Sequence, residues 1–204
     1  MRSTYVLAVL LAVLLGTWGC GPPGPSTTVQ RIDPKAQTDL SGAWNDTDAN
    51  KVAQAMIADC LTFPWASKFK AEKGRDPVVR LRVIRNRSHE HINTRFFTEQ
   101  FESELLRSGV AKVVSDKDEA EENRDERDDQ ARNASDKTAK QHQQETGSDF
   151  ILIGEINAVV DAVEGQRTVA YVTSMKLSDS ESNIKVWSKV HPIKKVVNQA
   201  GAQW

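Results

Sequence analysis

The last third of the chain limits the possible folds most. Phe150-Ile151-Leu152-Ile153-Gly154 is a continuous apolar run of the kind found in central strands buried on both faces, and its extension alternates to Val163. Glu164-Gly165 turns the chain into a second long strand, in which Val169, Tyr171, Thr173, Met175 and Leu177 fall on one face. The polar patch Ser178 to Asn183 turns it again, and Ile184, Val186, Trp187 and Val190 supply a third strand. Such a series is an antiparallel meander with one apolar face, which helices from elsewhere in the chain must cover.

The covering helices are legible upstream. Ala49, Val52, Ala53, Met56, Ile57, Cys60 and Leu61 recur at the steps of one helix face, with Asn45, Thr47 and Asp48 offering N-cap oxygens. Pro64 breaks this helix, and Trp65 and Phe69 at a four-residue step predict a short second one that ends at Gly74. Val78 to Ile84 is β-branched and alternating enough for a strand. From Asn93, the spacing of Phe97, Phe101 and Leu105 marks a further helix closed by Gly109, followed by a short strand from Val110 to Val114. Residues 116 to 146 carry no Gly, Pro or large aliphatic and are rich in helix formers. They read as a solvated helix, with an acidic disordered loop as the alternative. In the helical reading Ala131, Ala134, Ser135, Thr138 and His142 form a stripe laid against the sheet, and Gly147 stops the helix. The expected fold class is α+β, a mixed sheet of about four to five strands with a C-terminal antiparallel meander and helices packed on it.

The N-terminus is organised differently. Arg2 followed by the apolar run Tyr5 to Leu15 has the basic start and short apolar centre of an export signal. The run ends in Gly16-Thr17-Trp18-Gly19-Cys20, which resembles a lipobox, so residues 1–19 read as a lipoprotein signal peptide and Cys20 as the lipidated residue. An ordinary signal peptide, or a disulfide between Cys20 and Cys60, is the competing reading. Cys60 lies on the apolar helix face and reads as a buried structural thiol. Residues 20–39 hold four of the seven prolines and almost no large apolar side chain, so they read as a flexible tether. Fully extended, that tether reaches no more than roughly 60 Å. The globular domain is expected over residues 40–204.

Composition narrows the function. Lys and Arg number 27 against 28 for Asp and Glu, so no basic field exists to hold nucleic acid. His89 and His91 could supply two metal ligands, but His142, His191 or a carboxylate would have to complete the set, and a polar loop is the simpler reading. No Gly-rich phosphate loop and no nucleophile elbow occurs. Glu145 with Asp149, or Glu155 with Asp161, could in principle work as an acid–base pair on a glycan, though wet strand faces look the same. No enzyme, cofactor, metal or small-molecule substrate is expected.

Five blocks carry a resemblance: Ser41 to Trp65 with its WNDTD string, Val83 to Phe97 with RNRSHEHINT, Glu126 to Lys140, Gly147 to Val159 with GEI, and Val186 to Lys195. In order and spacing they resemble the LpoB family of penicillin-binding-protein activators. The resemblance implies an outer-membrane lipoprotein facing the periplasm, with a domain similar to the N-terminal domain of TolB. It also implies a bifunctional class A penicillin-binding protein as partner, whose glycan polymerisation and cross-linking the lipoprotein stimulates. The expected contact surface is Asn86, Arg87, His89, Glu90 and His91, a polar run between strand and helix that packing explains poorly; the alternative is that these residues cap and brace the helix start. A second function class is a structural or assembly lipoprotein of TolB-like or curli-secretion-like fold without a synthase partner.

Overall fold

The computed structural model describes residues 28–33, 36–39 and 41–198. The signal segment 1–19 and the lipidation site Cys20 lie outside these residues. The chain divides into two units at Ala36/Gln37. In the first, the described residues form no helix or strand, and Val29 and Ile32 are exposed. The second begins at Gln37, so the folded unit takes in residues just before Leu40.

Helix α1 spans Asp46–Thr62 and starts as a reciprocal cap, since Asn45 Oδ1 accepts the Asp48 N–H at 3.0 Å and Asp48 Oδ2 accepts the Asn45 N–H at 3.1 Å. Helix α2, Trp65–Lys73, follows Pro64 directly. Helix α3, Thr94–Ser108, is capped by Asn93 and closed by Gly109, whose φ of 66° is open to glycine without strain. Helix α4 spans Lys117–Asn133. The strands are β1 Val78–Leu81, β2 Arg85–Asn86, β3 Lys112–Val114, β4 Phe150–Val163, β5 Gln166–Asp179 and β6 Lys185–Asn198. They form one six-stranded sheet in the order β3-β1-β4-β5-β6, with the short β2 also on β4. β1 runs parallel to β3 and β4, whereas β4, β5 and β6 are antiparallel. The sheet is therefore mixed and the meander is C-terminal.

One face of the sheet carries the core. Val79, Leu81, Phe150, Leu152, Ile156, Met175, Leu177 and Trp187 meet Val52, Met56, Cys60, Trp65, Phe97, Phe101 and Leu105 from the helices. Trp65 and Phe69 set their edges on the Phe150 ring at centroid distances of 5.5 and 5.3 Å. Each buried aromatic contributes about 2 kcal/mol of transfer free energy. Cys60 is 1 % exposed, and burial pushes its thiol up to about 12, as expected of a packed rather than reactive cysteine.

The sheet has six strands where about four to five were expected, because the strand at Val78–Ile84 is split in two, and the structure departs from the sequence reading in these places. Phe150 to Gly154 is not covered on both faces: Phe150 and Leu152 are buried, but Ile153 is 37 % exposed on the opposite face. The helix expected over 116–146 ends at Asn133, and only Ala120 is buried in it. Ala134, Ser135, Thr138 and His142 are exposed and follow the helix end instead of lining the sheet. Small polar residues offer too little apolar area to hold four more turns against a strand. The strand expected over Val78–Ile84 is interrupted, with β1 ending at Leu81 and β2 resuming at Arg85.

The segment before α1 is fastened to the far end of the meander. Lys195 Nζ on β6 reaches Asp48 Oδ2 at 2.6 Å, Asp39 Oδ1 at 3.1 Å and the Ala43 carbonyl at 2.9 Å. The Lys195 side chain is 12 % exposed and that of Asp48 5 %. Hydrogen bonds from Asn45 and Gln37, then from Lys195, hold the Asp39 carboxyl down to about 2. Replacing Lys195 by Met should lower unfolding stability by about 3 kcal/mol, because Asp48 is then left buried without its counter-charge. A urea titration followed by tryptophan fluorescence reads this directly.

Candidate functional site

The polar run after β2 is a built loop. β2 places Arg85 opposite Glu155 and Asn86 opposite Ile156 of β4, and the Arg87 N–H donates to the Ile156 carbonyl at 2.8 Å. Asn86 then folds the loop back: its Nδ2 donates to the Glu90 carbonyl at 2.6 Å, and its Oδ1 accepts the Ser88 N–H at 2.9 Å and the Ser88 hydroxyl at 2.7 Å. This is a side chain imitating a backbone turn.

Glu90 turns inward. Its Oε2 accepts the Trp44 N–H at 2.9 Å and its Oε1 accepts the Tyr171 hydroxyl at 2.5 Å. The same hydroxyl lies 3.0 Å from the Gly42 carbonyl, and the Trp44 ring stands edge-on to the Tyr171 ring at 5.4 Å. Tyr171 is fully buried at mid-β5. Burial first, and then the neighbouring Glu90 carboxylate, push its phenol well above the ordinary value of 10.

The five residues singled out from the sequence thus divide. Asn86 and Glu90 are half-buried and brace the loop, while Arg87, His89 and His91 are exposed on it. The bracing network was invisible in sequence, since Trp44, Glu90 and Tyr171 lie far apart in the chain. Spacing between a loop glutamate and a mid-strand tyrosine carries no signal.

The other candidates are dispersed. Glu145 is taken by Arg124 at 2.7 Å and by Arg127, and Asp149 by Arg75 at 2.7 Å. The arginine hydrogen bonds hold both carboxyls below their usual range. Glu155 and Asp161 lie on one face of β4 but about 20 Å apart at strand rise, too far for a glycosidase pair. His142 meets Asp128 at 3.6 Å, and His191 sits on β6 opposite Thr173. Among the described residues no group of His, Cys, Asp and Glu is gathered to hold a metal ion, and no helix is long and apolar enough to cross a membrane.

The fold is a helix-backed mixed sheet that presents a braced polar loop, with Glu145 and Asp149 committed to arginine ion pairs. Residues 48–193, which contain the whole loop and most of the sheet, match the family model described as peptidoglycan-synthase activator LpoB, and the chain belongs to that family. Among solved structures, the LpoB C-terminal domain from Escherichia coli is 17 % identical, with a TM-score of 0.42 over 72 % of this chain and 98 % of that one. Lipoprotein GNA1162 from Neisseria meningitidis is 18 % identical, with a TM-score of 0.40 over 62 % of this chain and 88 % of that one. The NMR structure of E. coli LpoB is 17 % identical, with a TM-score of 0.36 over 90 % of this chain and 87 % of that one. No curated protein matches the chain.

The Tyr171 phenol supplies a pH test of the brace. A phenol whose folded value is raised above its unfolded one contributes stability that is complete below pH 10 and is lost as pH rises through the folded value. Stability should therefore fall with pH above about 10, and Tyr171→Phe should flatten that slope. Because the only other tyrosine is Tyr5, absorbance at 295 nm on protein lacking residues 1–19 should show phenolate appearing only together with unfolding.

Proposed function

We propose that the chain is an outer-membrane lipoprotein, anchored through Cys20 with its domain facing the periplasm, that binds and activates a bifunctional class A penicillin-binding protein. The observation that carries this reading is the family match across residues 48–193. Arg87, His89 and His91 supply the contact, and Asn86 and Glu90 act by holding that loop in one shape. A prefolded loop loses little conformational freedom on docking, so more of its contact energy appears as affinity. Activation then follows if the active conformation of the synthase binds this surface better than the inactive one does.

The test is a glycan polymerisation and cross-linking assay in which the host's class A penicillin-binding proteins are each supplied with the purified full chain in detergent. A several-fold rise in rate is expected from one of them. The triple variant Arg87→Ala/His89→Ala/His91→Ala should retain the fold and lose most of the stimulation. Unchanged rates with every synthase at saturating concentration would overturn the activator reading in favour of an assembly lipoprotein. Full stimulation by the triple variant would overturn the assignment of the loop.

A further inference from the structure

On the sheet face opposite the core, a cleft of about 390 Å³ is lined by Arg80, Arg82, Arg85 and Lys117, with Ile153 and Gly154 in its wall. It continues past Arg85, Ile153 and Gly154 toward Lys176 and Glu155. The break between β1 and β2 creates it. Leu81 pairs with Leu152 and Arg85 with Glu155, so three residues, Arg82 to Ile84, oppose two, Ile153 and Gly154. Such a bulge re-aims side chains, and Arg82 and Val83 are turned out to solvent. Gly154 permits it, because a Cβ there would lie 3.1 Å from both Ile84 Cγ1 and Met175 Cγ and 3.2 Å from the Ser174 carbonyl oxygen.

Five cationic side chains meet three carboxylates here, Asp116 and Asp118 in the cleft and Glu155 in its continuation, and none of the five cations is in an ion pair among the described residues. Elsewhere Arg75 is paired with Asp149, Arg95 with Asp118, and Arg124 and Arg127 with Glu145. Arg80, Arg82, Arg85, Lys117 and Lys176 have no ion pair or side-chain hydrogen bond among the described residues. Arg80 Nε is moreover buried with no acceptor, and a donor removed from water in this way is destabilising until something accepts from it. Two of the three carboxylates are engaged elsewhere. Asp116 Oδ1 accepts the Asp118 and Glu119 N–H groups of α4, and both Asp116 and Asp118 face Arg95 at 3.8 and 3.3 Å. In a chain of net charge −1, this local excess is not a consequence of composition.

We propose that this cleft is a binding site for an oxyanion, a carboxylate or phosphate borne by a ligand, received by the exposed Arg82 and Arg85 guanidiniums beside Arg80. Planar guanidinium forks fit both groups with paired charge-assisted hydrogen bonds, and Lys117 and Lys176 add positive charge at the two ends. The site stands on this geometry alone and does not rest on the synthase reading.

The test is a ¹⁵N–¹H titration of the purified full chain, observing the Arg Nε–H and backbone resonances. The probes are inorganic phosphate, an acetylated diglutamate amide, and chloride at matched ionic strength. Saturable movement of the Arg82 and Arg85 Nε–H and Gly154 N–H signals is expected with one of the first two, and the one that saturates identifies the oxyanion. Arg82→Gln/Arg85→Gln, two exposed positions, should weaken that binding by about tenfold without shifting the thermal unfolding midpoint. Saturation by neither probe, equal movement by chloride, or unchanged binding by the double variant would each overturn the proposal. Because the readout contains no synthase, its failure leaves the activator reading intact.

Discussion

The Tyr171 hydroxyl, 2.5 Å from the Glu90 carboxylate and 3.0 Å from the Gly42 carbonyl, joins three stretches of chain that sequence keeps far apart. Its single proton lies within reach of both acceptors, and the nearer, charged one takes the larger share. Through Glu90 this contact fixes the polar loop, since the same carboxylate accepts the Trp44 N–H. Through Gly42 and Trp44 it fixes the segment that leads into α1. A buried polar group of this kind is stabilising only while every partner is in place. The loop and the entry to α1 are therefore coupled: a change that frees one leaves an unsatisfied acceptor in the other.

The sheet is asymmetric in a way that matters for function. Its core face is closed by helices and by aromatic contacts onto Phe150. Its other face is left largely open, with Ile153, Val159, Val190 and Val196 exposed. α4 contributes little cover because its one buried residue is Ala120. The bulge opposite Gly154 lies where β1 gives way to β2, and the exposed half of the polar loop follows β2 directly, so the two features flank one short strand in an otherwise regular ladder.

Much of this was legible in the amino-acid order. The apolar stripe from Ala49 to Leu61, the Asn45 cap, the Phe97, Phe101 and Leu105 spacing closed by Gly109, and the alternation from Val169 to Leu177 are local signals, and each names an element that is present. Failures came where a local signal was weak or where tertiary context decided. Residues 134–142 have helix-forming composition but no apolar area to bury, so the helix stops at Asn133. Phe150 to Gly154 looks buried on both faces because Ile151 and Ile153 are apolar, yet Ile151 is only half-buried and Ile153 is left exposed. In the loop, the five polar residues could be recognised as unusual, but their division into Asn86 and Glu90 as braces and Arg87, His89 and His91 as surface depends on Tyr171 and Trp44. Those partners lie across the fold, where no periodicity reaches.

The meander strands are much longer than the helices that cover them: β4, β5 and β6 each run 14 residues, about 48 Å at strand rise, while the 17 residues of α1 span about 26 Å. Beyond the helices, Val169 is sealed by the chain around Gly42, whose approach is so close that an added Cβ would collide with Val197. Tension applied to the chain ahead of Gln37 thus enters the fold at a lid over the sheet's distal end. The contacts that resist it first are Asp39 and Asp48 on Lys195, and Gly42 on Tyr171. The burial of Val169 and the position of Glu90 thus both depend on the short stretch around Gly42, the one through packing and the other through a shared hydroxyl.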